Sequence, residues 1–150
     1  KDRIVTGWGA SLSGIWQFAE NTSLCFQGVY GKGISNYIQD ISGSGLDLVP
    51  SATAEGKLKA FNAWGGYIGF SHNWSKVLTS NIMYSYARVL DRYGMPATSY
   101  KYAQYAAANL FWDFSEYGSC AIEYVFGRRN DFNKDYGNAS RINTMIQYRF

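Results

Sequence analysis

The chain has 150 residues, of which 18% are aromatic and only 17% are charged, below the roughly 25% of a typical soluble domain. Its formal net charge of +3 is too small to indicate nucleic-acid binding, and its aromatic residues are not interleaved with a basic stripe. No run approaches the roughly 18 consecutive apolar residues of a membrane-spanning helix. The abundance of Tyr, Phe and Trp instead favours strands.

Alternation of polar and apolar residues predicts seven strands, because successive side chains of a strand point to opposite faces. In chain order the predicted strands cover residues 3–18, 22–38, 60–74, 77–90, 100–114, 119–129 and 139–150.

The fifth predicted strand is rich in alanine and could also be helical. Strand is favoured because five large apolar residues share one parity: Tyr100, Tyr102, Leu110, Trp112 and Phe114. Ala106 and Ala108 have the same parity, which would suit close contact with a neighbouring protomer.

The predicted connections alternate between short and long. The short ones are 19–21, 75–76 and 115–118, and the long ones are 39–59, 91–99 and 130–138. Short turns at one end and longer loops at the other are typical of outer-membrane barrels. We therefore expect an all-β, antiparallel transmembrane β-barrel, with the short turns on the periplasmic side.

The last strand shows the alternation most clearly, with Ile142 and Ile146 on one face and Arg141 and Asn143 on the other. In a transmembrane barrel the apolar face meets lipid and the polar face meets a wet lumen. Aromatic residues of apolar parity then form two girdles at the headgroup levels. Near the short turns these are Trp16, Phe18, Phe70, Trp74, Trp112, Phe114, Tyr148 and Phe150; toward the long loops they are Trp8, Trp64, Tyr84, Tyr86, Tyr124 and Phe126.

Seven strands do not match the even strand counts, from eight upward, of single-chain bacterial barrels. Either one strand has been missed, with 39–59 as the candidate, or residues 1–150 form the carboxy-terminal portion of a larger barrel. The second is favoured because the opening KDRIVTGWG lacks a signal peptide and is already close to strand pattern.

Catalytic, metal and cofactor sites are not expected. His72, the single histidine, has lipid-side parity, which argues against a nucleophile triad. No Cys/His cluster is present, and the opposite parity of Cys25 and Cys120 argues against a disulfide. Glycine steps such as Gly31-Lys32-Gly33 and Gly65-Gly66 indicate bends and relief of crowding in a curved sheet rather than phosphate loops.

Polar residues of lumen parity are the candidate pore-lining residues, since rings of arginine favour anions in a pore. The candidates are Arg129, Arg141, Lys101, Glu123, Asn81 and Asn109. The alternative is that Arg129 and Glu123 pair across the wall and only hold its shape. The segment ISGSGLDLVPSATAEGKLK (41–59) could fold inward as a constriction loop or cover a subunit contact.

Six segments resemble, in order and spacing, the carboxy-terminal half of the DcaP-like outer-membrane porins. They are VYGKGISNYI (29–38), AWGGYIGFSHNW (63–74), LTSNIMYSYA (78–87), YAAANLFWDF (105–114), AIEYVFGRRN (121–130) and YGNASRINTMIQYRF (136–150).

The resemblance implies a homotrimeric diffusion channel of about sixteen strands per protomer in the outer membrane of Gram-negative bacteria. Its solutes would be small anions, notably dicarboxylates, and the amino-terminal strands would lie outside this chain. The family usually has a glycine and a basic residue in the middle of the segment that reads Ile34-Ser35-Asn36-Tyr37 here. Asn36 removes that charge, so the resemblance implies no anion contact there.

Three alternatives remain open from the residues. A small eight-stranded barrel, filled by side chains, would be structural or adhesive and have no pore. An outer-membrane enzyme would need polar residues that converge at the extracellular rim. A soluble ligand-carrying barrel ranks last, because two exposed aromatic girdles promote aggregation in water.

Overall fold

The computed structural model describes residues 4–50 and 57–150, which form β-strands and two short 3-10 helices. The strands are β1 (Trp8–Ala19), β2 (Thr22–Lys32), β3 (Leu48–Pro50), β4 (Leu58–Ala60), β5 (Asn62–Asn73), β6 (Leu78–Val89), β7 (Tyr100–Asp113), β8 (Gly118–Asp131) and β9 (Tyr136–Tyr148). The 3-10 helices are Ser35–Tyr37 and Gln39–Ile41. Across these residues, no helix is both long enough and apolar enough to cross a membrane.

Seven strands form one antiparallel sheet in the order β1-β2-β5-β6-β7-β8-β9, and β3 pairs with β4 in a separate two-stranded sheet. The prediction of an all-β antiparallel fold is confirmed. The sheet is open within this chain, since β1 and β9 are its two edges.

Several expectations from the sequence are wrong. Residues 4–7 are not part of the first strand, which begins at Trp8 rather than at 3. The second strand ends at Lys32 rather than at 38, because Gly33 adopts φ +68, the left-handed region that glycine enters without strain, and 3-10 turns follow. Residues 39–59 supply no eighth strand to the main sheet, since β3 and β4 pair only with each other among the described residues. The connection predicted over 130–138 shrinks to 132–135, which makes it no longer than the turn at 74–77.

The alanine-rich segment is strand β7, as predicted, and it pairs with both β6 and β8. A bulge between Tyr100 and Tyr102 breaks the alternation, however. Tyr100 therefore faces away from Tyr102 and donates from its hydroxyl to the Ala87 carbonyl at 2.9 Å. The predicted lipid-side parity of Tyr100 is wrong for this reason.

Direct cross-strand pairs divide the main sheet into two faces. One face carries the even-numbered strand residues, such as Phe70, Ile82 and Ala108, and is named here the outer face. The odd-numbered residues form the inner face. Apolar side chains of the outer face are widely exposed, and Ile146 reaches 84%. A contiguous exposed apolar surface of this kind marks a membrane or protein contact.

Aromatic rings meet near both ends of the outer face, as the two predicted girdles require. At the short-turn end the Trp16 and Phe18 centroids are 5.7 Å apart, and Phe18 lies 6.1 Å from Phe70. At the long-loop end Trp64 stacks on Tyr86 at 4.8 Å. Phe150 lies beyond the end of β9 and is fully exposed.

The buried core of the chain lies on the inner face, beneath residues 33–50, named here the covering segment. Ile34, Ile38, Ile41 and Leu46 of this segment cluster with Phe61 and with the inner-face residues Ala63, Ala87 and Val89. The backbone N–H of Ser35 donates to the Asp47 carboxylate at 2.7 Å, which fastens the segment at its base. Of the two placements that the sequence left open for 41–59, residues 41–50 take the inward one, and residues 51–56 lie outside the described residues.

Inner-face glycines make room for this segment. A Cβ at Gly65 would lie 3.0 Å from Ile38 Cγ2, and one at Gly31 would lie 3.0 Å from Ile34 Cδ1 and closer still to backbone atoms. The crowding predicted at these glycines is therefore real, and it comes from the covering segment as well as from the sheet. Tyr93 packs against the same cluster, where burial and the nearby Asp91 carboxylate raise the pKa of its phenol.

Candidate functional site

A continuous row of polar side chains crosses the inner face from β1 to β9. Each member is the direct cross-strand partner of the next, in the order Gln17, Ser23, Ser71, Asn81, Asn109, Glu123 and Asn143. We name this set the polar row.

Hydrogen bonds join the second half of the polar row. The Asn81 amide donates to Asn109 Oδ1 at 2.8 Å, and Asn143 donates to Glu123 Oε1 at 2.8 Å. Asn109 approaches Glu123 Oε2 at 3.5 Å, a longer and weaker contact. The Glu123 carboxylate is thus held between two amides, one of them in a short charge-assisted bond.

Three of the six predicted pore-lining residues, Asn81, Asn109 and Glu123, therefore come together in one row. Sequence reasoning missed Asn143 as a site residue. The register of the last hairpin, which sets Asn143 opposite Glu123, was the signal that could have identified it.

Arg141 lies one inner-face position from Asn143 along β9, directly opposite Val125. Its side chain is exposed, and no carboxylate of residues 4–50 and 57–150 lies within 4.0 Å of its guanidinium. Arg141 thus places beside the polar row a positive charge that forms no ion pair with the described residues, one cross-strand position from Glu123.

Arg129 belongs to a different place, at the long-loop end of β8. Its Nε lies 2.9 Å from Asp131 Oδ1, and its guanidinium lies 5.7 Å from the Tyr100 ring centroid. Glu123 is six residues away on the same strand, roughly 20 Å along its axis. The alternative that Arg129 pairs with Glu123 is therefore wrong, and Asp131 is the acidic partner.

Lys101 lies in the bulge of β7, where it has no direct cross-strand partner. Its ammonium lies 6.0 Å from the Phe132 ring centroid, at the limit of a cation–π contact. Lys101 and Arg129 thus sit at the long-loop rim, apart from the polar row.

A cavity of about 510 Å³ separates the covering segment from the inner face. Its lining includes Gln27, Asp40, Tyr67, Ser85 and Tyr105. Four of these are successive cross-strand partners, Gln27 with Tyr67, Tyr67 with Ser85, and Ser85 with Tyr105. The cavity therefore has a polar floor parallel to the polar row, which sequence reasoning did not identify because it left the covering segment unplaced.

Two other sequence features have structural roles. The Asn36 side-chain oxygen accepts from the Gly43 N–H at 3.2 Å, so Asn36 closes a turn of the covering segment. His72 lies on the outer face with its Nδ1 2.8 Å from the Thr22 hydroxyl, and its ring stands edge-on to Trp74 at 4.5 Å.

In the described parts of the chain, no three His, Cys, Asp or Glu side chains gather as a metal site.

No protein-family model matches the chain, and no curated protein matches it by sequence. Its fold is similar to the crystal structure of the outer membrane channel DcaP of Acinetobacter baumannii, with a TM-score of 0.78 at 19% sequence identity. The similarity covers 96% of this chain and 41% of that channel, so the chain spans less than half of the channel's length. At this identity the likeness establishes a porin-like fold.

Proposed function

We propose that residues 1–150 form the carboxy-terminal portion of a single transmembrane β-barrel domain, within an outer-membrane diffusion channel for small anions such as dicarboxylates. The observation that carries the proposal is the division of one sheet into an apolar, aromatic-girdled outer face and a polar inner face partly roofed by the covering segment. That arrangement suits a wall with lipid on one side and a solute path on the other.

Closure of the barrel requires strands outside this chain. The edge strands β1 and β9 each leave a row of backbone N–H and C=O groups without partners in the sheet. In a bilayer such groups must be paired, which only a closed barrel achieves for strands. The remaining amino-terminal strands of a longer polypeptide would close it, in keeping with the 41% of the DcaP channel that this chain covers.

The preference for anions would arise from where individual charged side chains lie on the inner face rather than from the net charge of the chain. The Glu123 carboxylate already accepts from Asn143, and Arg129 is offset by Asp131. Arg141 keeps its charge available beside the amides of the polar row, where a solute carboxylate could gain a charge-assisted bond and amide hydrogen bonds. The solute binds and leaves without any chemical step, so no enzyme activity or cofactor is proposed.

In the outer membrane, lipid would cover most of the outer face. A homotrimer is proposed as the assembly, with Ala106 and Ala108 at a contact, because small side chains allow close approach of two walls. The small eight-stranded barrel loses support, since residues 39–50 and 57–59, the described part of the candidate segment, add no strand to the main sheet.

The proposal is tested by planar-bilayer recording of the native polypeptide that carries this chain. Under a salt gradient we expect stable open currents with a reversal potential of anion-selective sign, reduced by added dicarboxylate. An intact mass well above that of residues 1–150 should accompany these currents. A polypeptide of only this length that never conducts would overturn the channel.

A further inference from the structure

Positive charge is distributed unevenly over the outer face. Among the paired outer-face positions of the seven strands, all of them within the described residues, three are cationic, Lys32, Arg88 and Arg128, and none is a carboxylate. All three lie toward the long-loop ends of their strands. A cation facing lipid is costly at the midplane and tolerated near the interface, so these residues mark one headgroup level.

Arg88 has an incomplete set of partners within the chain. Its direct neighbours are Trp64 on β5 and Tyr102 on β7, and the rings of Tyr86 and Tyr102 stack at 5.5 Å beside it. The Nε of Arg88 is shielded from solvent, yet within the described residues it has no acceptor. The guanidinium as a whole is half-buried, lies beside the Tyr86 hydroxyl and has no carboxylate within 4.0 Å among the described residues, so it can still donate a charge-assisted bond to an external anionic oxygen.

An apolar groove of about 900 Å³ on the outer face is lined by Trp64, the direct cross-strand partner of Arg88. Gly28 and Gly66, which are direct cross-strand partners, form its floor, and Tyr30, Trp64, Ile68 and Tyr86 stand along its sides. Trp64 flanks both the groove and Arg88. The groove is a shallow, open, apolar depression of the outer face, and Trp64 connects it to the position of Arg88.

We propose that this groove holds one acyl chain of a phosphate-bearing membrane lipid, with the lipid phosphate at Arg88 and with Lys32 nearby. The proposal rests on the proposed function, because it requires the outer face to lie in a membrane. Charge favours a lipid over a second copy of the chain. Two copies of the groove packed face to face would bring Lys32 and Arg88 of both copies together with no strand carboxylate to pair with them, whereas the contact proposed for the trimer lies on β7.

The headgroup contact is tested on the full-length polypeptide in detergent, titrated with phosphatidylglycerol and with a diacylglycerol of the same acyl chains, and followed by native mass spectrometry. Wild-type protein should retain phosphatidylglycerol and not diacylglycerol. Arg88→Gln should weaken phosphatidylglycerol binding about fivefold, the effect of one basic residue at an anionic lipid surface. Arg149→Gln, a matched change at the opposite end of the sheet, should leave it unchanged.

The groove is tested with two glycine substitutions that meet no atoms. A Cβ at Gly28 or at Gly127 has no heavy atom within 4 Å, and Gly28 lies in the groove whereas Gly127 lies on the inner face. Gly28→Leu should abolish retention of the lipid, and Gly127→Leu should preserve it. Equal retention by both variants would overturn the groove as the acyl-chain site.

Two further outcomes would overturn the proposal. One is equal phosphatidylglycerol binding by wild type and Arg88→Gln, and the other is a response to inorganic phosphate alone as large as the response to lipid. The conductance of the same preparation distinguishes failure of the lipid site from failure of the proposed channel function. A conducting protein that retains no lipid overturns the lipid site alone, whereas a protein that never conducts overturns the proposed function.

Discussion

On the inner face, the effect of a charged side chain depends on whether a neighbour neutralises it. Arg129 and Arg141 have the same strand parity and the same charge, and sequence treats them as equivalent. The structure separates them, because Asp131 lies 2.9 Å from Arg129 whereas Arg141 lies beside the amides of the polar row. At the scale of single residues, Arg141 is therefore the stronger candidate for anion selection.

If the chain forms the proposed channel, charge reversal at Arg141 should lower its preference for anions. A contact between unit charges at about 4 Å in water amounts to about 1 kcal/mol. Arg141→Glu replaces that attraction for an anion with repulsion, and salt screening weakens both. The anion-to-cation permeability ratio should therefore fall roughly tenfold. Reversal potentials in planar bilayers under a salt gradient measure the ratio.

Neutralisation gives the matched control, since Arg141→Gln and Arg129→Gln each remove one positive charge. The Arg141 variant should shift the reversal potential clearly, and the Arg129 variant should shift it less because its charge is already offset. Equal shifts would indicate that net charge alone sets selectivity, and an unchanged potential in both would remove these arginines from the mechanism.

Gly65 provides a residue-scale test of the covering segment. Its Cβ would meet Ile38 Cγ2 at 3.0 Å, so Gly65→Ala should strain the contact and cost about 1–3 kcal/mol of stability. Gly127→Ala has open space around the new methyl group and should be close to neutral. The melting temperatures of Gly65→Ala and Gly127→Ala, measured in the same detergent, test this difference in stability. Equal melting temperatures would contradict the observed packing of Ile38 on Gly65.

At the scale of elements, the covering segment depends on one small cluster. Phe61 follows β4 and is only 1% exposed, and it packs with Ile34, Ile38 and Ile41 above the inner face. Backbone bonds reinforce this anchor, since Gly33 N–H donates to the Phe61 carbonyl at 2.8 Å and Phe61 N–H donates to the Asp47 carbonyl at 3.1 Å. The roof over the cavity is therefore held by a few contacts at its base.

Truncation of Phe61 should widen the solute path along the inner face of the sheet. Phe61→Ala should cost about 3–5 kcal/mol by leaving a cavity in the cluster, and the segment should detach before the sheet does. Single-channel conductance should rise and become noisier. Tyr37→Ala, at a residue of the same segment that is 82% exposed, should change stability by about 0.5 kcal/mol or less. Unaltered conductance in Phe61→Ala would show that the segment does not limit the path.

Element type and face could be predicted from sequence for most residues because period-two alternation runs through the long strands, with bulges only near the ends of β1 and β7. Ile142 and Ile146 identify the face of β9 without any tertiary information. Packing could not be predicted in this way. The bulge that turns Tyr100 inward, the docking of Ile38 on Gly65 and the partner of Arg129 all depend on contacts between elements, which alternation does not encode.

At the scale of the whole molecule, the main sheet is open, with β1 and β9 as its edges. The central strand β6 has partners on both sides, β5 and β7, whereas β1 and β9 each have one. Nearly every residue of β1 and β9 is exposed, in contrast to β6. Exposed strand edges pair readily with other chains and promote aggregation, and a sheet that spans a bilayer needs both edges paired, so the proposed function requires further strands.

Amide hydrogen exchange should detect those further strands. In the native polypeptide within a bilayer or detergent, amides of β9 that face the open edge should be as protected as those of β6, because strands outside this chain pair with them. In a polypeptide of residues 1–150 alone, the same β9 amides should exchange at least tenfold faster, since an unpaired edge opens at little cost in free energy. β6 should stay protected in both, which makes it the internal control. Equal protection of β9 in the two polypeptides would mean that the sheet closes on itself, and the larger barrel would then be wrong.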